Sequence, residues 1–350
     1  MRMPFFVAAL LASVSSASAQ NADVLRSSLD SGNERLALFS ASKYVAAQPD
    51  PTVLRLLGQL MPLQAFRLDG ATPDNHIIRR QINLSPVVAY DDNINGGNRN
   101  SSFTLGDTLT FTVDEDARAK EGVVLGAAIN ANMRYGYGRG DYLDAAGSFS
   151  AVHAPTEDLE KYNYGFSLCS RNHIQGWTFL DGCATTQSQI VDLGTAREDA
   201  VRLTATQLLQ AGGYDHALSA TFGHVWFTNF EQNTYASSLT TSLGKLGSAS
   251  ITLDLGDAVD GAHAQRERLT LNYVTSIADR TFSFSASQAN ARGSMFLGDL
   301  REDVTTTFGV RTDLTDQISV NIRLTDNAST VDFFEYRSVS VGFGFTGFSF

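Results

Sequence analysis

From about residue 80 to the end, the chain alternates apolar and polar positions with a period of two. "QINLSPVVAY" sets Ile82, Leu84, Pro86, Val88 and Tyr90 on one face and Gln81, Asn83 and Ser85 on the other. "VVLGAAINANMRYGY" keeps Val123, Leu125, Ala127, Ile129, Ala131, Met133, Tyr135 and Tyr137 in one phase, against Gly126, Asn130, Asn132 and Arg134. Alternation of that length exceeds an average globular strand and suits a strand crossing a bilayer at a tilt, which needs about 9–11 residues. Segments of this kind lie at 80–90, 103–113, 122–137, 142–152, 160–170, 199–210, 216–228, 234–244, 247–256, 267–277, 280–288, 304–314, 317–325 and 334–350. The pattern predicts an all-β fold, a transmembrane antiparallel up-and-down β-barrel of about 14 strands, preceded by a short helical segment.

The connections support that reading. "AGGYD", "KLG", "ADR" and "TDQ" are short, whereas 91–102, 171–198, 257–266, 289–303 and 326–333 are long. Outer-membrane barrels have short periplasmic turns and long outer loops, and all four short turns fall on one side if residue 80 starts at the periplasm. Three places fit poorly: "DEDARAKE" is long for its side, "GRGD" at Gly138–Asp141 is short for its side, and Asp107 interrupts an apolar face between Leu105 and Leu109, where a bulge would serve.

The chain ends in the same rhythm. Val339, Val341, Phe343 and Phe345 share a face, and Phe348 and Phe350 follow in the other phase, which a bulge near Thr346–Gly347 would reconcile. Phe343, Phe345, Phe348 and Phe350 fit an interfacial aromatic girdle and resemble the terminal signal read by the barrel assembly machinery.

Residues 22–67 follow a helical period instead. Leu36, Phe39, Ala41, Tyr44 and Val45 recur at helical spacing up to Pro49 and Pro51; Val53, Leu54, Leu57 and Leu60 form a second stripe. Two short helices about a proline turn resemble one tetratricopeptide-like unit; a plug or cap packed on the following domain fits equally well. Upstream, Arg2, the apolar run "PFFVAALLASV" and "ASAQ" form the three parts of a secretory signal peptide, 1–19, cut before Gln20. The organisation expected is therefore signal peptide 1–19, a periplasmic helical segment and linker at 20–79, and a barrel at 80–350 in the bacterial outer membrane.

Charge narrows the partners. With 37 acidic and 26 basic residues the formal charge is −11, which disfavours nucleic acid. The partners expected are outer-membrane lipid and lipopolysaccharide and the assembly machinery. If apolar residues face lipid, the opposite phase puts Arg134, Arg202, Arg268, Arg311 and Arg323 in the lumen, with Asp144 and Asp254 as the chief inward acids. Such a lumen would favour anions, unless each arginine pairs with a carboxylate. Cys169 and Cys183 read as a disulfide stapling the first half of loop 171–198, the segment best suited to a plug or lid. All histidines but His224 fall outside strands, and no nucleophile or metal motif is present, so neither catalysis, a metal nor a cofactor is expected.

"LSPVVAYDDNINGG" (Leu84–Gly97), a first strand running into a Tyr-Asp-x-Asn-x-Asn loop, resembles the barrel opening of the surface lipoprotein assembly modifier family, and "VDFFEYRSVSVGFGFTGFSF" is similar to its terminal strand. That resemblance implies a fourteen-stranded barrel behind a periplasmic tetratricopeptide domain, here cut to about one unit. It also implies assistance in exporting a lipoprotein or secreted cargo to the cell surface. Three functions stand from sequence: an export barrel, an anion-preferring small-solute channel, and a plugged structural or adhesive barrel.

Overall fold

The computed structural model describes residues 19–67, 75–105, 109–278, 280–315, 317–345, 348 and 349. The expected signal peptide, apart from Ala19, lies outside the described residues, as do Asp107, Thr346, Gly347 and Phe350.

Three helices open the chain: α1 (Ala19–Asp30), α2 (Glu34–Ala47) and α3 (Pro51–Leu63). The strands are β1 (His76–Asp91), β2 (Ser102–Leu105), β3 (Leu109–Thr112), β4 (Gly122–Gly138), β5 (Asp141–Ala154), β6 (Leu159–Gln175), β7 (Thr178–Val191), β8 (Gly194–Ala211), β9 (Tyr214–Phe227), β10 (Glu231–Ser242), β11 (Ser248–Gly256), β12 (Ala264–Ile277), β13 (Arg280–Phe296), β14 (Asp299–Asp313), β15 (Ile318–Ser329), β16 (Tyr336–Phe345) and β17 (Phe348–Ser349). Strands β4 to β16 each pair antiparallel with the next in sequence, β4 pairs with β1, and β16 and β17 pair with the far edge of β1. Counting β16 and β17 as one interrupted strand, the sheet closes as a 14-stranded up-and-down barrel. Closure leaves no unpaired edge, as a lipid environment requires.

The last strand carries a one-residue slip. Val87 faces Gly344 and Leu84 faces Phe348, so three steps along β1 match four along its partner. The expected bulge at Thr346–Gly347 itself lies outside the described residues; the slip is what the flanking pairs show.

Alternation sorts the side chains as the sequence predicts. Leu125, Ile129 and Met133 on β4, Phe166 and Leu168 on β6, Leu218 and Phe222 on β9, and Leu269 and Leu271 on β12 all stand exposed on the outer surface. The lumen phase is small and polar: Asn130, Asn132, Ser148, Ser167, Thr185, Thr204, Thr221, Ser285 and Thr307. Apolar outside and polar inside inverts a soluble protein and is the arrangement of a sheet solvated by lipid.

Three segments differ from the sequence expectation. The long connection expected at 289–303 is instead the end of β13 and the start of β14 about a two-residue turn at 297–298. The 103–113 stretch supplies no barrel strand among the described residues: β2 and β3 pair there only with each other, inside the 92–121 connection. Phe103 of this hairpin stacks on Phe111 and edge-on against Phe296 and Phe333, so its alternation serves an aromatic cluster above the barrel. Conversely, 171–198 is no loop or lid. It holds the ends of β6, all of β7 and the start of β8, and Cys169 faces Cys183 across the β6–β7 ladder, the two joined as a disulfide in the lumen wall. One strand lost and one gained keep the count at fourteen. The exchange also restores the sidedness: "GRGD" becomes a turn at the end that carries the short connections, and "DEDARAKE" becomes part of a long loop at the other end. His76, His153, His173 and His216 lie in strands rather than loops or the linker.

Candidate functional site: a lumen with two covered mouths

At one end of the barrel every connection is short: 139–140, 176–177, 212–213, 243–247, 278–279 and 314–317. The three helices sit in this mouth. Asn33 caps α2 by accepting from the Leu36 amide at 3.0 Å, and Asp50 caps α3 by accepting from Thr52 at 2.7 Å, with Pro51 in the first turn. The helices share a core of their own, including Leu25, Leu38, Ala41, Tyr44, Val53, Leu57 and Leu60. The tetratricopeptide-like pair is thus two of three helices that fold on one another.

A smaller apolar contact seats this body on the wall. Leu36 and Phe39 of α2 pack on Phe179, Leu208 and Ala217 of β7, β8 and β9, flanked by Phe66 and Trp177. Phe66 lies beside Gly140, whose φ of +80° and close neighbours leave no space for a Cβ, and the Gly140 amide donates to the Ala65 carbonyl at 2.8 Å.

Polar contacts do the rest. Arg35 grips Asp181 through both terminal nitrogens, at 2.8 and 3.0 Å, and Arg171 reaches the same carboxylate at 2.9 Å. Lys43 and Ser40 both bond Asp215, at 3.1 and 2.6 Å. Glu34 receives Arg134 at 2.6 Å, Gln64 at 2.7 Å and Arg79 at 3.2 Å. Ser27 and Ser242 share a short hydroxyl contact, and Ser276 donates to Asp30 at 3.5 Å. These contacts run from β1 round to β12. Burial raises the Asp30 carboxyl above its ordinary pKa, against the opposing pull of Arg26 and the Ser276 bond.

The other mouth carries the long connections 92–121, 257–263 and 330–335. Loop 92–121 folds over it. Asp91, Asn95 and Asn98 each accept from the amide two residues on, at 2.9, 3.2 and 2.8 Å, so "DDNINGGNRN" is a chain of Asx turns. The turns drive Ile94, fully buried, into a pocket of Val124, Val152, Ala154 and Leu159. The Leu193 amide, in the β7–β8 turn, donates to the Asn95 carbonyl at 3.1 Å, and Asn100 donates to Asp332, Phe333 and Glu335 carbonyls at 2.8 to 3.0 Å. The loop therefore ties β7–β8 to β15–β16. Burial would push Asp92 up, but Arg99 and the Val339 amide bond its carboxylate and hold it below the ordinary range.

The five expected lumen arginines separate into three kinds. Arg134 is buried beneath the helices and paired with Glu34 and Asp144, so it does not line an open passage. Arg202 bonds Glu198 and Thr185, each at 3.1 Å, and Arg268 stands directly across from Asp254. Arg311 and Arg323 are exposed, and their register neighbours are Ser283 and Asn321 for the first and Gly309 and Ser340 for the second. No carboxylate pairs with either among the described residues. They stand on β14 and β15, beyond the arc β1–β12 that the helices hold. Sequence reasoning missed Asp181, Asp215, Glu34 and Arg35; apart from Arg171, 10 residues from Asp181, their partners named here are 30 to 175 residues away, and no local spacing marks them.

No family model and no curated protein matches the chain. Solved structures of similar shape include OccAB3 of Acinetobacter baumannii, at 8% identity and TM-score 0.40 over 77% of this chain and 99% of that one. Pseudomonas aeruginosa OccK5 (OpdH) matches at 10% identity and TM-score 0.38, over 77% of this chain and 97% of that one. CdiB from Acinetobacter baumannii matches at 9% identity and TM-score 0.38, over 86% and 68% respectively. The assignment rests on the closed ladder and its apolar belt rather than on these likenesses. The chain is a transmembrane β-barrel.

Proposed function

We propose that this barrel is an anion-preferring small-solute channel whose short-turn mouth faces the periplasm and is covered there by the N-terminal helices. The observation that carries this reading is the pair Arg311 and Arg323. Register places them as diagonal neighbours on the lumen face of β14 and β15, about 7–8 Å apart by the geometry of such pairs. They are wet and lack an acidic partner, so their field reaches a passing ion undiminished by a fixed counter-charge. The small side chains around them, Ser283, Ser285, Asn321 and Ser340, supply hydrogen bonds without charge. Reversal potentials in a salt gradient across planar bilayers test the reading. The double change Arg311→Gln with Arg323→Gln should move the potential from the anion side toward zero; an unmoved potential refutes it.

The family resemblance supports a second reading, export of a lipoprotein or secreted cargo, with α2 and α3 as the docking element. In the closed barrel the Leu36 and Phe39 face of α2 is spent on the wall, so cargo binding would require the helices to leave first. Recovery of a secreted or lipidated partner from periplasmic extract with the full chain, lost on Leu36→Asp, would favour that role.

A further inference from the structure

We infer that Glu34 acts as an internal surrogate for a carboxylate solute, occupying an anion site that the barrel wall builds independently of the helices. The inference rests on the channel reading and adds a ligand class and a means of opening. The site centres on Arg134, which is 5% exposed. Its Nη2 and Nε bond Asp144 at 3.0 and 3.4 Å, and its guanidinium lies 4.5 Å from the centre of the Tyr142 ring. Asp144 and Tyr142 both belong to β5, so one edge and one face of the guanidinium are fixed by the wall. The free edge, Nη1, points at Glu34 Oε2 at 2.6 Å and at the Leu63 carbonyl at 2.6 Å.

Arg79, on the adjoining strand and in register with Arg134, bonds the second oxygen, Glu34 Oε1, at 3.2 Å. The Nε of Arg79 is buried and has no partner among the described residues, a donor that a larger anion would satisfy. The wall contributes two cations here, Arg79 and Arg134, against one acid, Asp144, and the remaining charge is matched only by Glu34 of α2. Two guanidiniums, one on each oxygen, make a strong carboxylate site, and Glu34 receives both, with the Gln64 amide added on Oε2. A small carboxylate entering from the lumen carries the same group and competes for the same nitrogens. Its binding displaces Glu34 and, with it, one of the charged anchors of the helices, the others being Arg35 on Asp181, Lys43 on Asp215 and Asp23 on Lys245. The solute thereby favours the uncovered state for which it has the higher affinity.

Trp177, which packs edge-on to Phe39 with ring centres 5.1 Å apart, reports helix seating without any need for conductance. The experiment uses the full chain with Trp226→Phe in detergent, titrated with succinate, against potassium chloride at matched ionic strength and succinamide as a neutral analogue. Succinate alone should shift the Trp177 emission to the red. Glu34→Gln should show the shifted spectrum without succinate, with the ratio of unseated to seated helices raised about 10- to 100-fold, the effect of losing a charge-assisted buried contact. Arg79→Gln, which leaves Glu34 on Arg134, should weaken the response to succinate. Equal shifts with potassium chloride, or a Glu34→Gln spectrum that matches the parent, overturn the inference. Conductance recorded on the same samples separates the two readings: steps without a succinate-dependent shift remove the surrogate site alone, and a shift without steps removes the channel.

Discussion

The two mouths are covered by opposite means. At the short-turn end a folded three-helix body leans on the wall through ion pairs, hydroxyls and one modest apolar contact, and it joins the barrel at one point only, ahead of β1. At the long-loop end a connection anchored on both sides, by β1 and β4, drives Ile94 into an apolar pocket and spreads an aromatic cluster over the rim. An apolar anchor in a close-packed pocket has no ionic competitor, whereas a buried charged contact, costly to break by truncation, is open to exchange for a competing ion of the same charge. On the proposed channel reading, the contrast separates a cover that comes away from one that stays.

The largest expected effect breaks this comparison outright. Removing residues 20–63 should give large, steady conductance steps where the full chain gives few, and a truncated barrel that stays silent would mean that loop 92–121 alone seals it. Next in size is Asp181→Ala, which strands Arg35 and Arg171 opposite a missing carboxylate that is 3% exposed. Breaking a buried pair by removing one partner costs about 3–5 kcal/mol. Amide exchange should then rise throughout α1–α3 and leave loop 92–121 unchanged. Ile94→Ala probes the other mouth: truncating a buried isoleucine costs about 2–5 kcal/mol, read as faster exchange at 92–100 with the helices unmoved.

Acid sharpens the contrast with smaller effects of opposite sign. Asp30 has a raised carboxyl pKa when the helices are seated, so its contribution to seating is present below the ordinary carboxylate range and is lost as pH rises through the raised value. Asp30→Asn should therefore seat α1 more firmly at neutral pH and flatten that dependence. Asp92 is lowered, so its contribution to the loop is present at neutral pH and is lost as pH falls through the depressed value. Mild acid should tighten the helix end, and only stronger acid, below the ordinary carboxylate range, should loosen the loop end, measurable by exchange at each.

How much of this was legible follows from what each phase faces. β4 could be read outright because lipid demands large apolar side chains at every second position. β7 escaped notice because its outward positions, Leu180, Gly182, Ala184, Thr186, Ser188 and Ile190, are mostly small or polar. The 103–113 stretch alternates as well as any true strand, and only its aromatic partners Phe296 and Phe333, far along the chain, set it apart from the barrel wall. Within the lumen the face of each arginine was readable from phase. Which of them are neutralised was not, since Glu34 meets Arg134 across 100 residues of sequence.

The single tether has a kinetic meaning. Only residues 64–75 separate α3 from β1, a span that reaches at most about 40 Å when fully extended. A released helical body therefore remains near its seat at an effective concentration on the order of millimolar, whatever the protein's abundance in the membrane. Recapture is a first-order event that needs no encounter, so each opening ends by itself and its duration is set by whatever holds the seat empty.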